Sequence, residues 1–386
     1  MYDFNITPNR KNTDCTKWDA LMRDFGDTTL LPFSIADTDF AALPEVVEAL
    51  QARVRHGVYG YTFAGEGYLN SVIDWCRRRH DMRVKRENIA NFPCVLTALS
   101  CVIEALTEPR DGVLINPPVY YPFFDLIKSN GRTLCQSPLR EGAEGYALDF
   151  EEIEHIISTQ NVKLYLLCSP HNPVGRVWKS WELERLVEIC LRHNVLLFSD
   201  EIHSDLVYSP NKHTSILNVP GAQSIALMAY APSKTFNLAG LKSSTVLSLN
   251  PEIMEKVNGA VSKHHLSINL MAYTATQAAY TYGHKWVDEL IEYLEKNARF
   301  VAETISNGPS RIKAYVPEGT FLMWLDFRAY GLSQRELMGR IQGIAGLALD
   351  DGSIFGQGGA GFARLNIGTS IGLVETAVGR LTTAFK

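Results

Sequence analysis

The sequence predicts an α/β protein with a large domain built on a mostly parallel sheet and a smaller α+β domain, on three observations. Short apolar runs at 113–115, 164–168, 195–198, 225–229 and 245–249 alternate with helical periodicity, the pattern of strands joined by crossover helices. At 386 residues the chain exceeds one comfortable core, so two domains are expected. Successive apolar runs also end in unusual punctuation: Asn116-Pro117-Pro118-Val119-Tyr120 after Ile115, Ser169-Pro170-His171-Asn172-Pro173 after Cys168, Ser199-Asp200 after Phe198, and Lys234 beyond Ala229. Ligands of open α/β sheets bind outside the carboxyl ends of the strands, so these segments should converge on one crevice.

Taken in order, residues 1 to about 45 carry turn signals, Thr7-Pro8-Asn9 and Phe25-Gly26-Asp27, and little periodicity. Pro44 opens an amphipathic helix over 45–55, with Val46, Val47 and Leu50 on its apolar side and Gly57 beyond its end. The loop His56-Gly57-Val58-Tyr59-Gly60-Tyr61-Thr62 precedes a helix through Trp75, whose Arg77-Arg78-Arg79 continuation reads as a solvated face. Asp149 and Glu152 have capping-box spacing before Ile153, Ile156 and Ile157, and Ser180 is a cap candidate before Leu183, Leu186, Val187, Cys190 and Leu191. Helical patterning follows over 251–263, 270–282 and 286–305. Residues 312–316, Pro317-Glu318-Gly319 and 321–327 read as a hairpin with a three-residue turn. A helix over 333–341, a strand over 362–367 and a last helix complete the chain. The expected division is 1–47 as an N-terminal segment belonging to the small domain, 48–285 as the large domain and 286–386 as the C-terminal small domain.

Composition excludes several classes. With 46% hydrophobic and 20% charged residues and a net charge of -5 the chain reads as an ordinary soluble globular protein rather than a disordered one. The 37 Lys and Arg are outnumbered by 42 Asp and Glu and are scattered, so no nucleic-acid surface is expected. Seven cysteines form no C-x-x-C pair, the first residues carry no signal-peptide pattern, and no apolar run reaches membrane-spanning length. A cytoplasmic protein with reduced thiols fits these features. Gly356-Gln357-Gly358-Gly359-Ala360-Gly361 satisfies G-x-G-x-x-G, but a strand follows where a dinucleotide site needs a helix. His264-His265 lacks acidic or cysteine companions, so no metal site is expected.

The most informative stretch is 224–242, where a β-compatible run breaks at Ala231-Pro232-Ser233 and delivers a lone lysine, Lys234. Desolvation disfavours an ammonium and lowers its pKa, which makes the amine nucleophilic enough to form a Schiff base. Near the other end, alternation in Phe362-Ala363-Arg364-Leu365-Asn366-Ile367 puts Arg364 and Asn366 on one face. An arginine fork suits a carboxylate.

Ser233-Lys234-Thr235-Phe236-Asn237-Leu238-Ala239-Gly240 resembles the cofactor-lysine motif of fold-type I pyridoxal 5'-phosphate (PLP) enzymes of the class I/II aminotransferase superfamily. The branch it is most similar to is that of the MalY/PatB-type cystathionine β-lyases. The resemblance runs from Lys17-Trp18-Asp19 to Arg364-Leu365-Asn366. It implies an aspartate aminotransferase-like fold, PLP as cofactor, a small amino-acid substrate and a homodimer with shared active sites. It implies Lys234 for the Schiff base, Asp200 on the ring nitrogen, Tyr120 stacked on the ring with Tyr121 as competitor, and Asn172 and His203 near the phenolic oxygen. Backbone N–H groups of Val95 and Leu96, with Ser233 and Lys242, are the implied phosphate donors, and Tyr61 would reach the partner subunit's phosphate. Arg364 is the implied substrate-carboxylate anchor, and Ala36 and Asp37 lie in Ser34-Ile35-Ala36-Asp37-Thr38-Asp39-Phe40, which resembles W-V-A-D-M-D-F at the family's substrate border. Ser34, Thr38 and Cys94 depart from that pattern, Cys94 standing where glycine is usual. The activity implied is C–S β-elimination from cystathionine or related S-substituted cysteines. An aminotransferase is the alternative, and a regulatory binding protein with residual lyase activity is a reading of another class.

Overall fold

The computed structural model describes residues 2–142 and 145–386. A seven-stranded sheet runs in the order Ile89–Phe92, Ser244–Ser248, Ala226–Tyr230, Leu196–Asp200, Val162–Cys168, Gly112–Ile115 and Thr133–Gln136. Every neighbour pair is parallel except the two made by Ser244–Ser248, which runs against both its neighbours. The central strands are apolar and buried along nearly their whole length, Lys163 being the exposed exception, as a parallel sheet covered on both faces demands. Register aligns the strand ends: Asp200 lies level with Cys168 on one side and with Ala229 on the other. The tails after these strands therefore leave the sheet side by side, and the convergence expected from the sequence is a matter of strand alignment.

A second sheet of four antiparallel strands has the order Lys313–Ala314, Leu322–Asp326, Phe362–Asn366 and Asp350–Asp351. Helices His284–Asn307, Gln334–Gly343 and Ile371–Ala384 accompany it in the chain. The N-terminal strand Leu31–Pro32 pairs in parallel with Leu347–Ala348, and Asn366 donates its N–H to the Phe33 carbonyl at 2.8 Å. The first forty residues are thus laced to the C-terminal sheet although the large sheet separates them in sequence. Gly283 stands where the helix Leu270–Tyr282 gives way to His284–Asn307, and a Cβ there would lie 2.2 Å from the Phe236 ring. Only glycine allows that close approach.

Three local expectations change. The 312–327 hairpin does not turn at Pro317-Glu318-Gly319: Ala314 pairs with Leu325, and residues between the strands pack instead on 206–208, Tyr208 N–H donating to Glu318 O at 2.9 Å and Thr320 N–H to Leu206 O at 2.7 Å. Tertiary pairing overrides the local turn signal there. Ser180 is the first helical residue of Ser180–Arg192 rather than its cap, and the Lys179 N–H is accepted by Glu182 at 2.8 Å. Val47 is exposed on Pro44–His56 while Val46 is buried, because adjacent residues of a helix point about 100° apart. Asp149 does cap Phe150–Thr159, accepting the Glu152 N–H at 3.1 Å.

Candidate active site

The strand tails enclose a cavity of about 210 Å³. Ala36, Val95, Leu96, Tyr120, Asn172, Asp200, His203, Ser233, Lys234 and Lys242 all line it. Lys234 rides on the short helix Pro232–Thr235 and its Nζ donates to the Ala36 carbonyl at 2.6 Å. Removal from water pushes the amine down to about 8, helped by Arg364 and opposed by Asp37 and Asp200. Asp200 ends the strand Leu196–Asp200 and is buried, which pushes its carboxyl up to about 7 against the Ile202 N–H, donated at 3.2 Å, and the Lys234 charge. His203 is held well below its usual pKa by burial, with Lys234 and Arg364 acting in the same direction. Its ring meets Phe321 edge-on at 5.7 Å and its Nδ1 has no partner. A buried ring nitrogen without a partner is uncommon enough to need an explanation.

One end of the cavity is the N-terminus of Val95–Leu106, a 12-residue helix whose first N–H groups have no intrahelical acceptor. Cys94 offers them no side-chain cap, so they remain available to an anion. At φ -160 Cys94 is in extended backbone, and its replacement of glycine carries no strain. Tyr120 packs edge-on against Phe123 at 5.8 Å and lines the cavity; Tyr121 lies outside it, edge-on to Phe355 at 5.8 Å.

Arg364 lies just behind this wall. Its Nη1 donates to Asn172 Oδ1 at 2.9 Å, its Nη2 to the Ser34 carbonyl at 3.1 Å, and it forms an ion pair with Asp350. The Phe355 ring sits 4.9 Å beneath the guanidinium. Asn172 thereby spends its oxygen on Arg364 and leaves its Nδ2 as the cavity-facing donor.

Residues 34–39 form a strip held from several sides. Asn366 Nδ2 donates to Ile35 O and Asp37 O at 2.6 and 2.7 Å, and Asn237 Nδ2 to Thr38 O and Phe40 O at 2.8 and 2.9 Å. Arg10 grips Asp37 through both terminal nitrogens at 2.9 and 2.6 Å and reaches Asp39 at 2.8 Å. Lys17 Nζ lies 2.8 Å from Asp39, which also accepts Trp18 Nε1 at 2.9 Å. Ala36 alone of the strip lines the cavity. Thr38 is buried, with its methyl against Gly368, and neither it nor Ser34 lines the cavity, although the Ser34 carbonyl accepts from Arg364.

Residues 28–381 match the family described as aminotransferase class I and II. The chain belongs to that family. Within it, the chain is 40% identical over 384 residues to the cystathionine β-lyase PatB of Bacillus subtilis, covering 99% of both chains. It is 32% identical to the protein MalY of Escherichia coli, over 100% of this chain and 99% of that one. Among solved structures, cystalysin from Treponema denticola, which contains a PLP cofactor, superposes with a TM-score of 0.96 at 35% identity, over 100% of this chain and 98% of that one.

Against that family background two placements stand out. Tyr61 is fully exposed and Val58, Tyr59 and Phe63 around it are largely exposed; it does not line the cavity of its own chain. Arg10, Lys17, Asp39 and Asp350, none of them singled out as functional from the sequence, hold the strip and the arginine in place. Arg10 and Lys17 lie in the turn-rich segment, where no periodicity points to them and no spacing pairs them with Asp37 or Asp39.

Proposed function

We propose that this chain is a PLP-dependent C–S β-lyase, cleaving cystathionine or related S-substituted L-cysteines to pyruvate, ammonia and a thiol. One observation carries the reading: an enclosed amine without a carboxylate partner, Lys234, and a buried carboxylate without a cation, Asp200, face one cavity in a chain closely similar to PatB. The residues present fit the cofactor. The Asp200 carboxylate lacks the cationic N–H that a protonated pyridine ring would supply, His203 Nδ1 lacks a partner, and the Val95 and Leu96 N–H groups with Lys242 await an anion.

Lys234 would hold the group covalently through Nζ, Asp200 would keep the ring nitrogen protonated, Tyr120 would cover a ring face, and Asn172 and His203 would serve the phenolic oxygen. Ser233, Lys242 and the helix N-terminus would hold the phosphate. When bound, PLP supplies an electron sink for the pair released at the substrate α-carbon. Arg364, oriented by Asn172 and Ser34, receives the substrate carboxylate. Lys234 Nζ, freed when the substrate amine takes its place and with its pKa lowered to about 8 by removal from water, so that a sizeable fraction is unprotonated at physiological pH, takes the α-proton. The thiolate leaves from Cβ, and hydrolysis of the remaining three-carbon amine gives pyruvate and ammonia. The purified protein, incubated with L-cystathionine and no keto acid, should release pyruvate and free thiol in equal amounts; amino-group transfer to an added keto acid without thiol release would make it an aminotransferase.

A homodimer with shared sites belongs to the same proposal. The uncovered aromatics Tyr59, Tyr61 and Phe63 support a second subunit packed on this loop, with Tyr61 reaching its partner's phosphate. Mixing a Tyr61→Ala protein with a Lys234→Ala protein should regain activity through hybrid dimers, and no regain after subunit exchange would refute the sharing. Among the described residues no helix is long and apolar enough to cross a membrane, and all seven cysteines are unpaired; both support a cytoplasmic setting.

A further inference from the structure

Asp350 lies directly across the antiparallel ladder from Arg364, where opposed side chains leave the same face of the sheet roughly 5 Å apart. The backbone register alone therefore brings the carboxylate to the guanidinium, and the two form an ion pair. Its neighbour Asp351 has an unrelated task. It faces the other way, accepting the Gln334 Nε2 at 2.7 Å and capping Gly352–Phe355 through the Ser353 N–H at 2.8 Å. The Asp350 side chain is 15% exposed against 3% for Arg364, so Asp350 covers the arginine on its more open side. Asn172 and Ser34 occupy the inner side.

Charge accounting makes this arrangement consequential. Arg364 is answered by Asp350, Asp37 by Arg10, and Lys234 and Asp200 face each other across the cavity. The remaining cation on the cavity wall, Lys242, stands with Val95 and Leu96 at the anion end. A substrate α-carboxylate thus meets an arginine already half-committed, and among the described residues of this chain no further cation lines the cavity for a second substrate carboxylate.

We propose that Asp350 is a specificity-determining residue that sets the net charge of the carboxylate anchor and restricts the site to amino acids whose side chain beyond Cβ is neutral or cationic. S-alkyl, S-aminoalkyl and zwitterionic S-substituents are admitted; S-carboxyalkyl cysteines and dicarboxylic amino acids are disfavoured. The proposal rests on Arg364 being the carboxylate anchor.

The test compares the PLP-loaded wild type with Asp350→Asn, Asp350→Ser and Arg364→Gln, each checked for a native circular dichroism spectrum. Elimination is followed with S-(2-aminoethyl)-L-cysteine, S-ethyl-L-cysteine and S-carboxymethyl-L-cysteine. Propionate, a carboxylate with no amine to react, is titrated by ligand-observed NMR. In the wild type the aminoethyl substrate should have the lowest KM and the carboxymethyl substrate the highest. Both Asp350 variants should bind propionate about tenfold more tightly and narrow the KM ratio of these substrates about tenfold, a modest share of what a unit charge at this range can exert. The change should fall on KM more than on kcat. If neither Asp350 variant moves the propionate affinity or the KM ratio while Arg364→Gln raises KM for all three substrates, Asp350 has no such role and the anchor stands. If Arg364→Gln leaves every KM unchanged, the anchor reading itself falls.

Discussion

Two lysines sit inside this molecule, Lys17 and Lys234, and they grip opposite parts of one six-residue strip. Lys17 is 1% exposed and closes an ion pair of 2.8 Å with Asp39. Asp39, pushed up by burial, is nevertheless held below the usual carboxylate range by the Lys17 charge and by bonds from Lys17 and Trp18. Lys234 has only the Ala36 carbonyl, at 2.6 Å, and an open cavity beside it. The difference is one of partners: enclosure with a carboxylate makes a lysine structural, and enclosure without one makes it reactive.

The contrast can be broken from either side. Lys234→Ala should lower pyruvate release from cystathionine by ~10³-fold or more, since both the covalent attachment and the proton acceptor are lost; retained turnover would remove Lys234 from the chemistry. Lys17→Met should cost the apoprotein ~2 kcal/mol in urea unfolding, because Asp39 loses its fully buried charged donor and keeps Arg10 and Trp18, whereas Lys234→Met should fall within ~1 kcal/mol of the parent. Equal losses would erase the distinction.

Asp200 sharpens the comparison through pH. Its carboxyl titrates near 7 folded against an ordinary 3.8, so the folded chain binds the extra proton and its stability contribution, full below 3.8, is lost as pH rises through about 7. Apoprotein Asp200→Asn should therefore gain ~2 kcal/mol over the parent at pH 8 and nothing at pH 3.5. Lys234, lowered from 10.5 to about 8, gives the opposite slope, stability rising between those values as the solvated unfolded amine gives up its proton. Thermal melts of the apoproteins across pH separate the two. The smallest effect concerns the strip itself: Thr38 Oγ1 is buried without a partner, so Thr38→Val should leave stability unchanged or raise it by up to ~1 kcal/mol. A clear loss by the same melts would reveal a bond to that hydroxyl.

Much of the cavity was legible because strand ends are readable locally. An apolar run that stops at Asp200, Asn172 or Lys234 advertises a group the strand did not need, and parallel strands in register deliver such groups to one edge. The strip's scaffold was not legible, for the opposite reason. Arg10, Lys17, Asp39 and Asp350 act through pairs set by tertiary approach, and nothing in the spacing of an irregular N-terminal segment says which acid a base will meet. The 312–327 region failed similarly, since Pro317-Glu318-Gly319 has turn chemistry that contacts with Leu206 and Tyr208 put to another use. Tyr61 is legible as exposed aromatic surface, but the role proposed for it needs a second copy of the chain.

The bond from Arg364 Nη1 to Asn172 Oδ1 joins the two sheets at the cavity wall. On one side stand Lys234 and Asp200, the groups proposed to handle protons, carried at strand ends of the seven-stranded sheet; on the other, Arg364, the proposed carboxylate anchor, and Asp350, carried by the four-stranded one. On the proposed roles, recognition and reactivity are modular in this scaffold, and residues 347–367 form a compact cassette for redesign. Exchanging that cassette while keeping Arg364 and its seam to Asn172 offers a route to new leaving groups that leaves the proton-handling strands as they are.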